Sequence, residues 1–573
     1  MLNLQKENSV VFKLNKAQKQ CVETLDGTIL VLSGAGTGKT RVIISRFIKM
    51  IENDCPSSRI LCITFSNKAA NEIIKRLEEF DIINPQWVGT FHSICFKLLQ
   101  IYGNLKPNTS IIDEYDQKKI AEKLNIEESL KNIQNFKEGL QVIKDKIFLE
   151  SYEKYQDYIE KNNYLDFGEI ILRTLDILEK NPEIKEKIQE RFEYIMVDEY
   201  QDTSKLQDKF IQLINRKNLF CVGDDDQSIY SWRGACIENI LKFSQNYKDV
   251  KIFRLEQNYR CSQPILTVAN HLINQNKSRI QKQIWCENPG QTVLVCSTKN
   301  EGDIIAKEIL KLQNESVGIL VRTTSLVKNI ENSLIKFNIN YKILGGLRFF
   351  EKPEIKTAIA YLKVIFLEDI LSIERVLQFP KKGIGQVKIK KILELLSNGS
   401  TLISALISVG QIEFANLLTY WQSIKTQSPT KVLRIIWEES GCADFFEDKQ
   451  DNFQILLNKI ENFSSISHFL ESFFSMDVEN EEKVSIMTVH GSKGLEFDNV
   501  FIPGLIEGVF PNAKTLSEGS IEEERRLAYV AITRAKKKLV LLYNLSNTMS
   551  RDLFGPSRFL FNLPKTAISF ITN

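Results

Sequence analysis

The run Thr28-Ile29-Leu30-Val31-Leu32 followed by Gly34-Ala35-Gly36-Thr37-Gly38-Lys39-Thr40 constrains this chain more than any other segment. The β-branched apolar run predicts a buried strand, the glycines break it, and the spacing after Lys39 predicts a helix. Residues Gly34 to Thr40 fit G-x-x-x-x-G-K-[ST] between those elements, the context in which backbone N–H groups and a helix N-terminus cradle phosphates. Lys39 is expected to reach the β/γ oxygens and the Thr40 hydroxyl to bind Mg²⁺. A strand feeding a helix in this way belongs to a parallel α/β sheet.

The rhythm recurs. Arg59 to Phe65 is a second apolar run leading into a helical pattern from Asn67. From about 101 to 180 the pattern turns helical, rich in Lys, Glu, Ile and Leu, and no strand is expected there. Apolar runs return at Tyr194–Val197, Leu219–Val222 and Val250–Leu255. A second alternation follows, with strands expected near 291–297, 317–322, 341–344, 484–489 and 499–502 around a mainly helical stretch at 371–480. Two α/β cores, each interrupted by a helical insert, are therefore expected: 1–100 with 185–256, its insert 101–184, then 257–370 with 481–573, and its insert 371–480. A chain of 573 residues has room for about four domains, and its low count of 26 Gly and 13 Pro favours helices.

Lys plus Arg number 75 against 72 Asp plus Glu, so no global basic field exists and any nucleic-acid site must be local. The ten cysteines are scattered without a CxxC pair and only four histidines accompany them, which disfavours a metal cluster and predicts free thiols in a reducing compartment. Without a signal-peptide pattern or a long apolar run, a cytoplasmic protein making no membrane contact is expected.

Tyr194-Ile195-Met196-Val197-Asp198-Glu199 is an apolar run ending in two acids. Paired with a phosphate loop, Asp198 is the expected Mg²⁺ partner, and Glu199 the general base that deprotonates an attacking water.

Around these two motifs others fall in order. Asp198-Glu199-Tyr200-Gln201-Asp202 with Gly223 to Ala235 (GDDDQSIYSWRGA) resembles the UvrD, Rep and PcrA group of superfamily 1 helicases. Leu14-Asn15-Lys16-Ala17-Gln18, Thr64 to Ala70, Gly89 to Ser93, Gln257-Asn258-Tyr259-Arg260, Thr488 to Phe497 (TVHGSKGLEF) and Glu523 to Ala535 resemble further motifs of that group. The resemblance implies two RecA-like motor domains with ATP between them. It implies that Gln18 meets the adenine edge, Tyr259 stacks on the base and Glu496 contacts the ribose, while Arg41 lies with the phosphate loop. It further implies that Gln227 senses the γ-phosphate and that Arg260 and Arg534 neutralise charge on the transferred phosphoryl group. Composition alone would place Arg534, followed by Ala535-Lys536-Lys537-Lys538, on a solvated basic surface.

Gln227 to Arg233 interleaves polar and aromatic residues, as a sequence-tolerant single-strand site requires. By resemblance Tyr230, Trp232 and Arg233 form the stacking pocket, with Phe65 and Phe554 on neighbouring walls and Thr90 and His92 near the strand backbone. Phe379 to Gly385 with Lys388, Lys390 and Lys391 reads either as a duplex-binding glycine turn or as a plain interhelical turn. The resemblance implies single-stranded DNA, single/double-strand junctions and repair or replication proteins as partners, and a monomer or transient dimer as the acting form. The expected activity is ATP-driven 3′ to 5′ movement on single-stranded DNA, with unwinding or, where the reduced inserts limit it, protein displacement. A small-molecule kinase would lack the second core carrying Arg534, and an inactive binding module would have broken Lys39, Glu199 or Arg534. The chain runs only to Asn573, so no fused nuclease of the RecB and AddA kind is expected.

Overall fold

The first sheet begins with β1 (Thr28–Ser33), β2 (Ile60–Thr64) and β3 (Val88–Thr90). After a largely helical stretch holding β4 (Ser110–Ile112) and β5 (Tyr164–Asp166), it resumes with β6 (Tyr194–Val197), β7 (Leu219–Gly223) and β8 (Val250–Leu255). Its order is β3-β2-β6-β7-β1-β8, with every pair parallel. The computed structural model that shows this describes residues 13–572, apart from 107–108, 113, 141–144, 313, 345–351, 368, 381, 462–465, 467–468, 471–482 and 545–554.

The strand sequences explain the two-sided burial. Ile29, Val31, Ile60, Cys62, Met196, Phe220 and Val222 face one side with Val42, Ile43 and Phe47 of α2 (Lys39–Glu52), which follows α1 (Lys16–Glu23). The alternating residues Leu30, Leu32, Leu61, Ile63, Ile195, Val197 and Cys221 face the other side with the helix Phe91–Tyr102. A sheet covered on both faces needs continuous apolar runs, and those are what the sequence shows. The edge strand β8 instead exposes Lys251 and Arg254, charges that discourage pairing with a further strand.

The insert after β3 has its own small core of Ile120, Ile133, Phe148, Tyr155 and Ile159. It differs from the expected strand-free insert in holding the parallel pair β4 and β5. Three residues per strand are too few to give a period. Beyond β5, Ile170, Leu175 and Leu178 of the helix Phe167–Lys180 join the core of the first sheet, although their pattern reads as part of the insert. An amphipathic stripe does not say which core it will cover.

The second sheet contains β9 (Val293–Ser297) and β10 (Val317–Val321), and β11 (Lys342–Leu344) pairs in parallel with β12 (Val484–Thr488). With β13 (Phe497–Ile502), β14 (Ala535–Tyr543) and β15 (Ile568–Thr572) the order β10-β13-β14-β9-β15 forms, again all parallel. The chain divides into two units, residues 1–339 with 488–573 and residues 340–487. The second unit is mainly helical, its core built on Tyr361, Trp421, Leu433, Ile436, Trp437 and Leu456. The helix Pro353–Leu367, whose pattern reads as part of the second α/β core, packs into this cluster through Ile355, Ile359 and Leu362. Among the described residues no helix is long and apolar enough to cross a membrane, and all ten cysteines are free.

Trp421 is fully buried and its indole N–H donates to Glu439 Oε2 at 2.8 Å. Trp421→Ala is expected to cost the helical unit about 3–5 kcal/mol. Hydrogen exchange should lose protection across the helices from Ile412 to Glu461 while β1, β2, β6 and β7 keep theirs.

Candidate functional site: a nucleotide cleft and an aromatic track

Parallel strands deliver their ends to one edge, where ligands bind in open α/β sheets. Here β1 ends at the Gly34–Thr40 loop, β2 at Phe65, β6 at Asp198 and β7 at Asp224. The β2–β3 register sets Thr90 level with Thr64. The second sheet contributes its opposite ends: Glu496 immediately precedes β13 and Arg534 immediately precedes β14.

The loop needs its glycines. Gly36 and Gly38 have φ of 67° and 86°, and a Cβ on Gly36 would stand 2.7 Å from Arg260 Cβ. Two segments hold the loop. Gln18 is buried in a capping box with Asn15, and its Nε2 donates to Thr37 O at 2.9 Å. Asn258 Nδ2 donates to Ala35 O at 2.6 Å and Tyr259 N to Gly36 O at 2.9 Å. Tyr259 is 44% exposed, with its hydroxyl bonded to Asn15 and Gln257. Thr40 and Arg41 open α2 beside Lys39.

Lys39 Nζ lies 3.0 Å from Glu199 Oε2. Glu199 sits in the left-handed region at φ 50°, a strained setting for a non-glycine residue and a mark of functional sites. Burial pushes its carboxyl up, but the charges of Lys39 and Lys493 outweigh that and hold it down at about 2. Burial would lower Lys39, yet Glu199, Asp224 and Asp198 keep it above the ordinary lysine range. Asp198 is pushed up to about 7, by burial first and then by the neighbouring Glu199. An ionised carboxylate thus stands beside a carboxyl short of positive charge, which suits a cation-binding position; with Thr40 at the start of α2, the residues fit Mg²⁺ and a nucleoside triphosphate.

From the facing side, Arg534 is buried, contrary to the solvated surface that composition alone suggested. Its Nη2 lies 3.4 Å from Gln227 Oε1 and its Nη1 donates to Leu495 O at 3.1 Å. Burial and the nearby Arg260 push its guanidinium down to about 9. The lysines beside it serve separately, Lys536 pairing with Glu496 at 2.7 Å and Lys538 with Glu308 at 2.7 Å. Arg260 pairs with Glu496 at 2.8 Å. Gln227 Nε2 donates to Asp224 Oδ2 at 2.5 Å.

Just beyond Gln227 lies the aromatic group. Phe65 stacks on Tyr230 with centroids 4.9 Å apart and planes 12° from parallel. Trp232 is 59% exposed, with the Arg233 guanidinium 4.7 Å from its ring and His490 edge-on at 6.1 Å. Burial, then Arg322, Arg233 and Lys493, push the His490 imidazole down to about 4. His92 packs edge-on against Phe167 at 5.6 Å, and Thr90 caps the helix Phe91–Tyr102 through Ser93. Phe554 lies outside the described residues, as does Lys381. In the helical unit Lys382 Nζ bonds to Pro380 O and Ser440 O at 3.3 and 3.4 Å, while Lys388, Lys390 and Lys391 are exposed.

Sequence reasoning passed over Lys493, Arg526, Arg279 and Lys282. Lys493 Nζ pairs with Asp202, donates to Gln227 O at 2.7 Å and lies 5.0 Å from the Tyr230 ring centroid. Arg526 donates to Ser228 O at 2.8 Å. Lys493 stands inside TVHGSKGLEF, and the isolated lysine after a glycine turn was the available signal.

Residues 14–146 and 125–248 match the UvrD/REP helicase N-terminal domain, and residues 253–471 and 442–546 match the UvrD-like helicase C-terminal domain. The chain belongs to the UvrD/Rep helicase family. It is 35% identical to a probable DNA helicase II homolog of Rickettsia felis, covering 98% of this chain and 97% of that protein. It is 34% identical to the ATP-dependent DNA helicase PcrA of Staphylococcus epidermidis, covering 97% of this chain and 87% of that protein. The Rickettsia alignment runs over 642 positions, more than the 573 residues here, so that relative carries internal segments this helicase lacks.

The raised Asp198 carboxyl gives this helicase a pH signature. An acid whose folded pKa lies above its unfolded value near 3.8 contributes stability that is present below that value and lost as pH rises through about 7. Asp198→Asn should therefore raise the melting temperature of the nucleotide-free protein, with a larger gain at pH 8 than at pH 5. Equal gains at both pH values would contradict the cause assigned to the shift.

Proposed function

We propose that this helicase hydrolyses ATP between its two motor domains and moves 3′ to 5′ along single-stranded DNA, opening duplex at single/double-strand junctions in repair, recombination or replication. The observation that carries the reading is continuity. Lys39 pairs with Glu199 and Arg534 meets Gln227, and the loop that holds Gln227 continues within a few residues to Tyr230 and Trp232, which supports reading them as one site. A partition into two motor domains, each interrupted by an insert, is part of the same proposal, with the helix Pro353–Leu367 counted in the second insert and not in the expected 257–370 segment, as is action as a monomer or transient dimer in the cytoplasm. The relatives named DNA helicase II and ATP-dependent DNA helicase support DNA as the polymer and ATP as the fuel.

When bound, ATP would supply the phosphoryl group and Mg²⁺ its counter-charge, and Thr40 and Asp198 would hold the ion. Glu199, ionised and hydrogen-bonded by Gln201 Nε2 at 2.6 Å, orients a water and takes its proton. Lys39, Arg260 and Arg534 neutralise charge on the phosphoryl group, a contribution worth about 10³ to 10⁵ in rate for arginines in this role. Gln18 and Tyr259 hold the base, and Glu496 the ribose. Gln227 relays occupancy to the ring pocket, where Tyr230 and Trp232, with Phe65 and Arg233 around them and Thr90 and His92 beside the backbone, grip successive bases; the sequence-based assignment of Phe554 to the same track is part of the proposal.

Duplexes bearing a 3′ or a 5′ single-stranded tail, incubated with ATP and with Lys39→Ala as the blank, test the proposal. Opening from the 3′ tail alone is expected, and opening from the 5′ tail alone would reverse the direction. Turnover that strips a bound protein from the strand without opening duplex would mark a translocase instead. Lys39→Ala and Glu199→Gln should each lower turnover by at least about 1000-fold while strand affinity stays within about threefold. Trp232→Ala should weaken single-strand affinity by about 1–3 kcal/mol and spare basal hydrolysis. Unchanged affinity would remove Trp232 from the track.

A further inference from the structure

Asp224, Asp225 and Asp226 stand immediately before Gln227, buried, with ligand-capable oxygens within 4.8 Å of one another. Three carboxylates taken out of water repel unless a cation lies among them. Here the cation comes from the chain itself. Lys282 Nζ lies 2.6 Å from Asp224 Oδ1, 2.5 Å from Asp225 Oδ1 and 3.2 Å from Asp226 Oδ2, with no side-chain exposure. Burial would strip its proton, but the three carboxylates hold its pKa well above the usual lysine value.

Lys282 belongs to a strap joining the helix Gln263–Ile273 to β9 of the second sheet. The strap grips the acidic loop at further points. Arg279 pairs with Asp226 at 2.7 Å, and Ile280 N donates to Asp225 Oδ2 at 2.8 Å. Asp224 is where this network meets the nucleotide cleft: Oδ1 takes Lys282, and Oδ2 takes the Gln227 amide at 2.5 Å. Asp224 N also donates to Gln201 Oε1 at 2.8 Å, and Gln201 in turn holds Glu199.

We propose that Lys282 is a positioning residue for ATP turnover: the built-in counter-ion of the triple-aspartate loop, it fixes Asp224 and through it the amide of Gln227. The proposal rests on the reading of Gln227 as the group that senses the terminal phosphate. It assigns the strap the task of tying the loop that carries Gln227, Tyr230 and Trp232 to the second sheet.

A double-mutant cycle on the full chain tests it, with single-stranded DNA-stimulated ATP hydrolysis measured for wild type, Lys282→Met, Gln227→Ala and the pair. Displacing a catalytic group by about 1 Å can cost about 100-fold, so Lys282→Met should lower kcat by about 10- to 100-fold. KM for ATP should stay within about threefold, because the Gly34–Thr40 loop is untouched. If Lys282 acts through Gln227, the pair should be no slower than Gln227→Ala alone. Losses that multiply in the pair, or an unchanged kcat in Lys282→Met, would overturn the proposal while leaving the sensor reading intact. Full activity in Gln227→Ala would overturn both. Should Lys282→Met fail to fold, Lys282→Met with Asp225→Asn, which removes one carboxylate along with the cation, takes its place in the cycle; a wild-type kcat there would equally overturn the proposal.

Discussion

Parallel hydrogen bonding between strands buried on both faces is the constraint on which the rest depends. It forces continuous apolar runs along β1, β2, β6 and β7, and it sends the loop after each strand to the same edge. Lys39, Phe65, Asp198 and Asp224, far apart in sequence, therefore meet there. The second sheet answers with the opposite ends of β13 and β14, carrying Glu496 and Arg534. Topology gathers each set of residues at its own sheet edge, and contacts such as Arg534–Gln227 and Lys493–Asp202 bring the two sets together.

What topology gathers, charge must balance. The cleft brings Asp198, Glu199, Asp202 and the triple-aspartate loop out of water, against Lys39, Lys282, Lys493, Arg260 and Arg534. Buried pairs of this kind recover desolvation only where geometry is close, as at Lys39–Glu199 and Lys282–Asp224. Asp198 is left undercompensated, a local cost in stability of the sort carried at catalytic sites. The same network crosses from the first sheet to the second through Arg534–Gln227 and Lys493–Asp202, and Lys493 also lies 5.0 Å from the Tyr230 ring centroid.

Much of this was legible from residues alone. The strand runs at 194–197 and 250–255 match the observed limits, and the glycine loop lies where its flanks required. Short strands escaped notice: β4 and β5 have no room for a period. The helices Phe167–Lys180 and Pro353–Leu367 were legible as helices but not in their packing partners, because a stripe of apolar residues is compatible with either core. Lys282 and Arg279 were invisible for a different reason. They sit in a strap without regular structure, and their role is defined only by aspartates more than fifty positions away. Arg534 shows the converse error of composition, since a basic run suggested surface where the fold buries its first member.

The proposed function requires the nucleotide site and the aromatic track to act as one machine. The most direct measurement is ATP hydrolysis by the wild-type chain without polymer, with single-stranded DNA and with single-stranded RNA, titrated to saturation. A rate that rises with DNA and saturates in step with strand occupancy is the expected result. A rate indifferent to either polymer would contradict the coupling through Gln227, Tyr230 and Trp232.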